Sequence, residues 1–491
     1  MNFSASNTSL WNVIIQIGLI ALFLLLANVL RRKVPFFKKS LMPTAVLAGF
    51  LFLILRTAGL WIFKAETLEK LPYNPFDTTI LEMLTYHGIA IGFIALSLRV
   101  AKKDENSKGA LTAPKSGALI VSTYLVQGIA GLAISLLLFY AFYRAQTTVF
   151  AASGILLPMG YGQGPGQANN IGTSFENLEN GLAGGRSFGL AIAAAGYLVA
   201  CIVGVIYINV LARKQKRERS AHEELSGSVV TVADFQDENE IPIAESLDKF
   251  SVQAALVLLV YLMTFLLSYG VDSLLQRFAP GVAKTVSPLL WGFNFVIGTL
   301  LAMITRKVLG AFRKAKAMTR QYQNNYLLSR ISGLAFDIMI VCGIASINIE
   351  DLKGLWVPFV LMAVAGGVVT FFWLRWLSKK IYPTYREEAF VSMYGMMTGT
   401  ISSGVMLLRE IDPSFETPAA NNLLTGSAFA IVFGAPMLLL VGLAPQSLMH
   451  TWITFGLLFL YLALLLVFLL IVKAKPKKAS EDAPKDPEMT E

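Results

Sequence analysis

The sequence predicts an all-α polytopic membrane protein. Its expected plan is two inverted repeats of five transmembrane helices, each with a re-entrant glycine-rich hairpin, plus an extra C-terminal helix. Three observations carry that prediction. Hydrophobic residues make up 55% and charged residues 15% of the 491-residue chain, against roughly 25% charged in soluble domains. Apolar runs recur at about 20 residues, the length that crosses a hydrocarbon core of ~30 Å. Basic residues gather in alternate short loops between the runs, as orientation signals do.

About eleven spans follow in order, near 10–30, 41–62, 78–100, 117–142, 187–212, 250–275, 286–306, 331–347, 355–378, 421–442 and 451–473. The loop after the first carries Arg31, Arg32, Lys33, Lys38 and Lys39; the loop after the seventh carries Arg306, Lys307, Arg313, Lys314, Lys316 and Arg320. Placing the basic loops inside puts the N-terminus outside and the C-terminus in the cytoplasm of a multi-pass cell-membrane protein. The N-terminus lacks a basic n-region, so a cleaved signal peptide is not expected. Cys201 and Cys342 each sit within an apolar run, where a thiol acts as a small hydrophobe.

Two stretches, about 148–176 and 388–410, are too broken to be ordinary spans. The charge alternation holds only if each returns to the face it entered from, the first from outside and the second from the cytoplasm. The polar stretch 213–249 then reads as a cytoplasmic linker between an N-terminal repeat, 1–212, and a C-terminal inverted repeat, 250–442. An extra helix over 443–473 and a disordered cytoplasmic tail over 474–491 complete the chain.

The two broken stretches share a pattern. Tyr161-Gly162-x3-Gly166-x2-Asn169-Asn170 recurs as Tyr394-Gly395-x3-Gly399-x2-Ser402-Ser403. Each copy lies between the fourth and fifth span of its half, as inverted transporter repeats would place it. Irregular backbone at membrane depth is tolerated only where protein shields it or it lines a watery cavity. Half-helix N-termini suit an anion, and unwound carbonyls suit a cation such as Na⁺. The candidate binding residues are therefore Gly162, Gln163, Gly164, Gly166, Gln167, Asn169 and Asn170 in the first copy. In the second they are Thr398, Gly399, Thr400, Ser402 and Ser403. Pro165 forbids a continuous helix, and Gly166 is expected to let substrate approach the backbone closely. Helix packing is the alternative use of such glycines.

Asp337, in the eighth span, is the candidate Na⁺ ligand, because an intramembrane carboxylate is costly and functional by default. Its alternative is a structural pair. His87, in the third span, suits a proton step or hydrogen-bonded packing. Arg409 can hold a substrate carboxylate or pair with Glu410 or Asp412.

The formal charge of +10 is spread over short loops, which argues against a nucleic-acid partner. No nucleotide loop follows the glycines, and no nucleophile pair or metal cluster points to an enzyme. No cofactor is expected beyond Na⁺ as coupling ion. The partners expected are the lipid bilayer, a small anionic substrate and Na⁺.

The segment SGILLPMGYGQGPGQANNIG and its counterpart YGMMTGTISSGVMLL resemble the two glycine-rich re-entrant loops of the sodium/glutamate symporter family. The resemblance covers most of residues 10–442. It implies Na⁺-coupled symport of glutamate or a related anionic amino acid by alternating access, in an elevator-type cycle within a homodimer. An Na⁺/H⁺ or organic-anion exchanger is the alternative; a passive channel has less support.

Overall fold

The computed structural model describes residues 8–63, 74, 77–100, 111–142, 150–179, 181–215, 249–292, 294–318, 320–412 and 417–472. Most of the expected linker 213–249 and the tail 474–491 lie outside the described residues. The first five long helices are α1 (Thr8–Lys33), α2 (Thr44–Phe63), α3 (Thr79–Leu98), α4 (Thr112–Phe142) and, after two short helices, α7 (Gly185–Gln215). The short pair is α5 (Leu156–Tyr161) and α6 (Pro165–Glu176), entered through a 3-10 turn over Ala151–Ile155. Beyond the linker come α8 (Lys249–Phe278), α9 (Pro280–Gly292), α10 (Asn294–Lys314), α11 (Asn325–Ala345) and α12 (Trp356–Ile381). A second short pair follows, α13 (Arg386–Thr398) and α14 (Ile401–Arg409), then α15 (Ala419–Leu443) and α16 (Leu448–Ile471).

Eleven helices among the described residues are long and apolar enough to cross a bilayer, and no strand occurs among them. The architecture is that of an all-α, multi-pass membrane protein. Large apolar side chains face outward along these helices, for example Leu25, Trp61, Leu266 and Phe372. Lipid is the solvent that makes such exposure favourable.

The seventh span differs from its expected position at 286–306. The chain starts a separate helix at Pro280, ends it at Gly292, and begins the long helix at Asn294. α10 then runs on to Lys314, past the basic residues expected to end it. Arg313 and Lys314 in its last turn complement the negative end of the helix dipole. α9 is clipped to α8 by Asp272, which accepts hydrogen bonds from Ser287 and from Trp291 Nε1, the latter at 3.0 Å.

At the centre α3 packs against α11 and α4 against α15. Small residues permit the close approach: a Cβ on Gly88 would stand 3.2 Å from the Ala335 carbonyl, and one on Gly426 2.7 Å from Ser116 Cβ. Arg56 is buried inside α2 and donates to the carbonyls of Ala345 and Ile347 at 3.0 and 2.9 Å. A cation there satisfies carbonyls at the C-terminus of α11, which hydrocarbon cannot do.

Candidate functional site

Both broken stretches come apart at their glycines. The first breaks over Gly162–Gly164, where Gly164 takes φ +86° and ψ −176°, a region open to glycine and little else. Pro165 is the first residue of α6, the position where a missing N–H costs nothing. The second break falls at Gly399, which takes φ −145° and ψ −106°, and at the extended Thr400, without a proline. α13 and α14 lie side by side: a Cβ on Gly395 would stand 2.9 Å from Gly404 Cα.

The two breaks meet. A Cβ on Gly164 would lie 3.9 Å from the Gly399 carbonyl oxygen, from Thr400 Cγ2 and from the Tyr197 hydroxyl. Beside this junction is a cavity of about 140 Å³. Gly162, Gln163 and Gln167 from the first stretch and Gly399 and Thr400 from the second line it. The rest of the wall comes from α3, α4, α10, α11, α13, α14 and α15, including Phe93, Phe295 and Phe336. Among the described residues every lining side chain is uncharged.

Two helix N-termini converge here. The first ladder bonds are Ala168 N–H to the Gly164 carbonyl at 3.1 Å and Gly404 N–H to the Thr400 carbonyl at 3.0 Å. The N–H groups of Gly166 and Gln167, and of residues 401–403, therefore precede the ladders. Gln167 is 1% exposed, and neither its amide nitrogen nor its amide oxygen has a hydrogen-bond partner. The buried Thr400 Oγ1 lies at the same junction. A buried amide without partners is costly, so its retention beside a cavity marks a place for polar ligand atoms.

The other candidates have different surroundings. Gly166 faces helix neighbours: a Cβ there would stand 2.6 Å from Ile89 Cδ1 and 2.8 Å from Met339 Sδ. Asn170 donates to the Gly292 carbonyl at 2.9 Å, and Asn169 points its amide at Asn170 Oδ1, 3.5 Å away. Thr398 returns its hydroxyl to the Tyr394 carbonyl at 2.7 Å. Ser403 is buried, with Oγ 2.9 Å from where a Cβ on Gly399 would be. The side chain of Ser402 lies outside the described residues.

No protein-family model matches the chain, and no curated protein matches it.

Asp337 is exposed, one residue from Phe336 and two from Met339 on α11, but it does not line the cavity. It shares an open helical stripe with Arg330, Gly333 and Leu334. His87 turns away, its Nδ1 bonded to the Tyr261 hydroxyl on α8. Arg409 is exposed at the end of α14 and is not among the lining residues. Several wall residues were not singled out from sequence: Tyr124, Phe93, Phe295 and Phe336, with Tyr197 at the junction. An aromatic residue inside an apolar span carries no one-dimensional mark that separates a cavity wall from ordinary core.

Proposed function

We propose that this chain is a secondary active transporter that couples Na⁺ to uptake of a small organic anion by alternating access. Resemblance to the sodium/glutamate symporters makes an anionic amino acid such as glutamate the first substrate to test. The observation that carries the reading is the meeting of Gly164 with Gly399 and Thr400 beside a cavity, with two helix N-termini at one place. Oriented N–H groups at helix N-termini favour an anion without a charged side chain. Unwound carbonyls beside them suit a small cation.

In this reading both short pairs are re-entrant hairpins of two inverted repeats. Their helices have 6, 12, 13 and 9 residues, about 9, 18, 20 and 14 Å at 1.5 Å per residue. Each is too short to span ~30 Å alone. The matched glycine spacing supports the repeat, the alternating basic loops support an outside N-terminus in the plasma membrane, and the homodimer is what the family resemblance implies. Asp337 is the candidate Na⁺ ligand.

The test is uptake into proteoliposomes, with and without an inward Na⁺ gradient, of a panel of radiolabelled organic anions that begins with glutamate and includes monocarboxylates such as 4-methyl-2-oxopentanoate. Accumulation only with the gradient is expected. Equal flux without it, or single-channel currents in planar bilayers, would overturn the reading.

A further inference from the structure

We infer that the substrate carries one carboxylate on an apolar body, rather than two carboxylates. This deepens the transporter reading and rests on it for the location of the site. The polar and apolar parts of the cavity come from different elements. Gln163, Gln167 and Thr400, with the two helix N-termini, belong to the broken stretches. The facing wall is aliphatic and aromatic, with Tyr124 and Ser427, among the described residues, its only side chains bearing a hydroxyl, and Phe93 sits 5.4 Å, centroid to centroid, from both Phe295 and Phe336. Ser427 also lines the cavity, but its hydroxyl is already donated to the Leu423 carbonyl at 2.6 Å.

One carboxylate can be held at the tips. The N–H groups ahead of the two ladders and the unpartnered amide of Gln167 supply donors, and the dipoles favour negative charge there. A second carboxylate a few bonds away would meet the phenylalanine wall. Among the described residues no Arg, Lys or His lines the cavity to pair with it, and an unpaired carboxylate out of water is strongly disfavoured. The size agrees with the wall. The cavity is about 140 Å³, and an apolar cavity of roughly 150 Å³ holds a benzene ring. The chemistry fits a branched or aromatic side group on an amino acid or a 2-oxo acid. For an amino acid, Gln167 Oε1 and carbonyls of the unwound tips are acceptors for the ammonium.

Equilibrium binding to the purified full chain tests this separately from transport. The probes are L-leucine, 4-methyl-2-oxopentanoate, L-glutamate, 2-oxoglutarate and 3-methylbutylamine, each with Na⁺, read by thermal shift and by competition. A ligand that binds only the folded state raises the melting temperature by mass action. Leucine or 4-methyl-2-oxopentanoate is expected to bind at least tenfold more tightly than both dicarboxylates and the amine. Which of the two wins tells whether the site takes an ammonium group. Gln167→Leu should weaken that binding at least tenfold while leaving the unliganded melting temperature unchanged or higher. Glutamate or 2-oxoglutarate binding as tightly as the monocarboxylates would overturn the inference and leave the transporter reading intact. Equal binding of the amine, full affinity in a folded Gln167→Leu variant, or no binding by any probe would also overturn it. Monocarboxylate binding without ion-driven accumulation would remove the transporter reading and leave the ligand class standing.

Discussion

Gly164 and Thr400, 236 positions apart in the chain, meet so closely that a Cβ on Gly164 would lie 3.9 Å from Thr400 Cγ2. That spacing is ordinary van der Waals contact, so there is room for a methyl group. The constraint is conformational, because φ at Gly164 is +86°. Gly164→Ala should cost roughly 1–3 kcal/mol, seen as a lower melting temperature. It should also reduce uptake more than Gly160→Ala does at equal folded yield. An Ala variant with wild-type stability and uptake would show that the tip does not need this backbone.

Gly166 is a separate case. With a Cβ 2.6 Å from Ile89 Cδ1 and 2.8 Å from Met339 Sδ, substitution overpacks the seam between α6, α3 and α11. Gly166→Ala should lower stability by about 1–3 kcal/mol. Ile89→Ala added to it should return part of that loss, as contacting residues in a double-mutant cycle do. Additive losses would mean the two side chains do not compete for the space.

Glu387 accepts hydrogen bonds from Arg375 and Tyr207, both at 2.6 Å, at the start of α13 and outside the eleven span-length helices. Burial pushes its carboxyl upward, but the Arg375 and Tyr207 hydrogen bonds and the charges of Arg375 and Arg386 outweigh it. The net effect holds Glu387 below the ordinary glutamate range. A depressed folded-state value gives stability that is present above the unfolded value, about 4.3, and lost as pH falls through the folded value. Melting temperature should therefore drop on the acid side below about pH 4. Glu387→Gln should flatten that limb and cost roughly 1.5–3 kcal/mol at pH 7, the range for hydrogen bonds to a charged group. An acid limb identical to wild type would assign the pH dependence elsewhere.

Asp337 stands exposed on α11 beside the cavity-lining Phe336. Asp337→Asn should leave stability within about 0.5 kcal/mol, as for exposed substitutions. Half-maximal activation of uptake should move to at least tenfold higher Na⁺. An unchanged Na⁺ response in the folded variant would leave the carboxylate a structural role.

The spans were legible because an apolar run of 20 residues in lipid has one stable solution, a helix with its backbone paired internally. The breaks were legible because Gly164 and Pro165 are punctuation whatever surrounds them. Gly164 and Gly166 nonetheless look alike in sequence. One is glycine for its backbone angle and the other for Ile89 and Met339, which lie 77 and 173 positions away in the chain. Nothing in the sequence around Asn170 marks its hydrogen-bond partner, the Gly292 carbonyl at the end of α9. The start of α10 was misplaced because the apolar run continues through Gly292 while the helix does not.

α4 grips both broken stretches at once. Gly131 on α4 and Gly154 in the turn before α5 touch backbone to backbone. One turn earlier in α4, Gln127 Nε2 donates to Thr370 Oγ1 at 2.8 Å and to the Met397 carbonyl at 2.9 Å. A movement that pulled the tips apart would break the Gln127 bonds away from water, leaving donors and acceptors unmatched at roughly 1–3 kcal/mol each. A movement that carries α4, α12 and both tips together breaks none of them. The Gln127 bonds thus favour motions that carry α4, α12 and both tips as one unit over motions that part the tips.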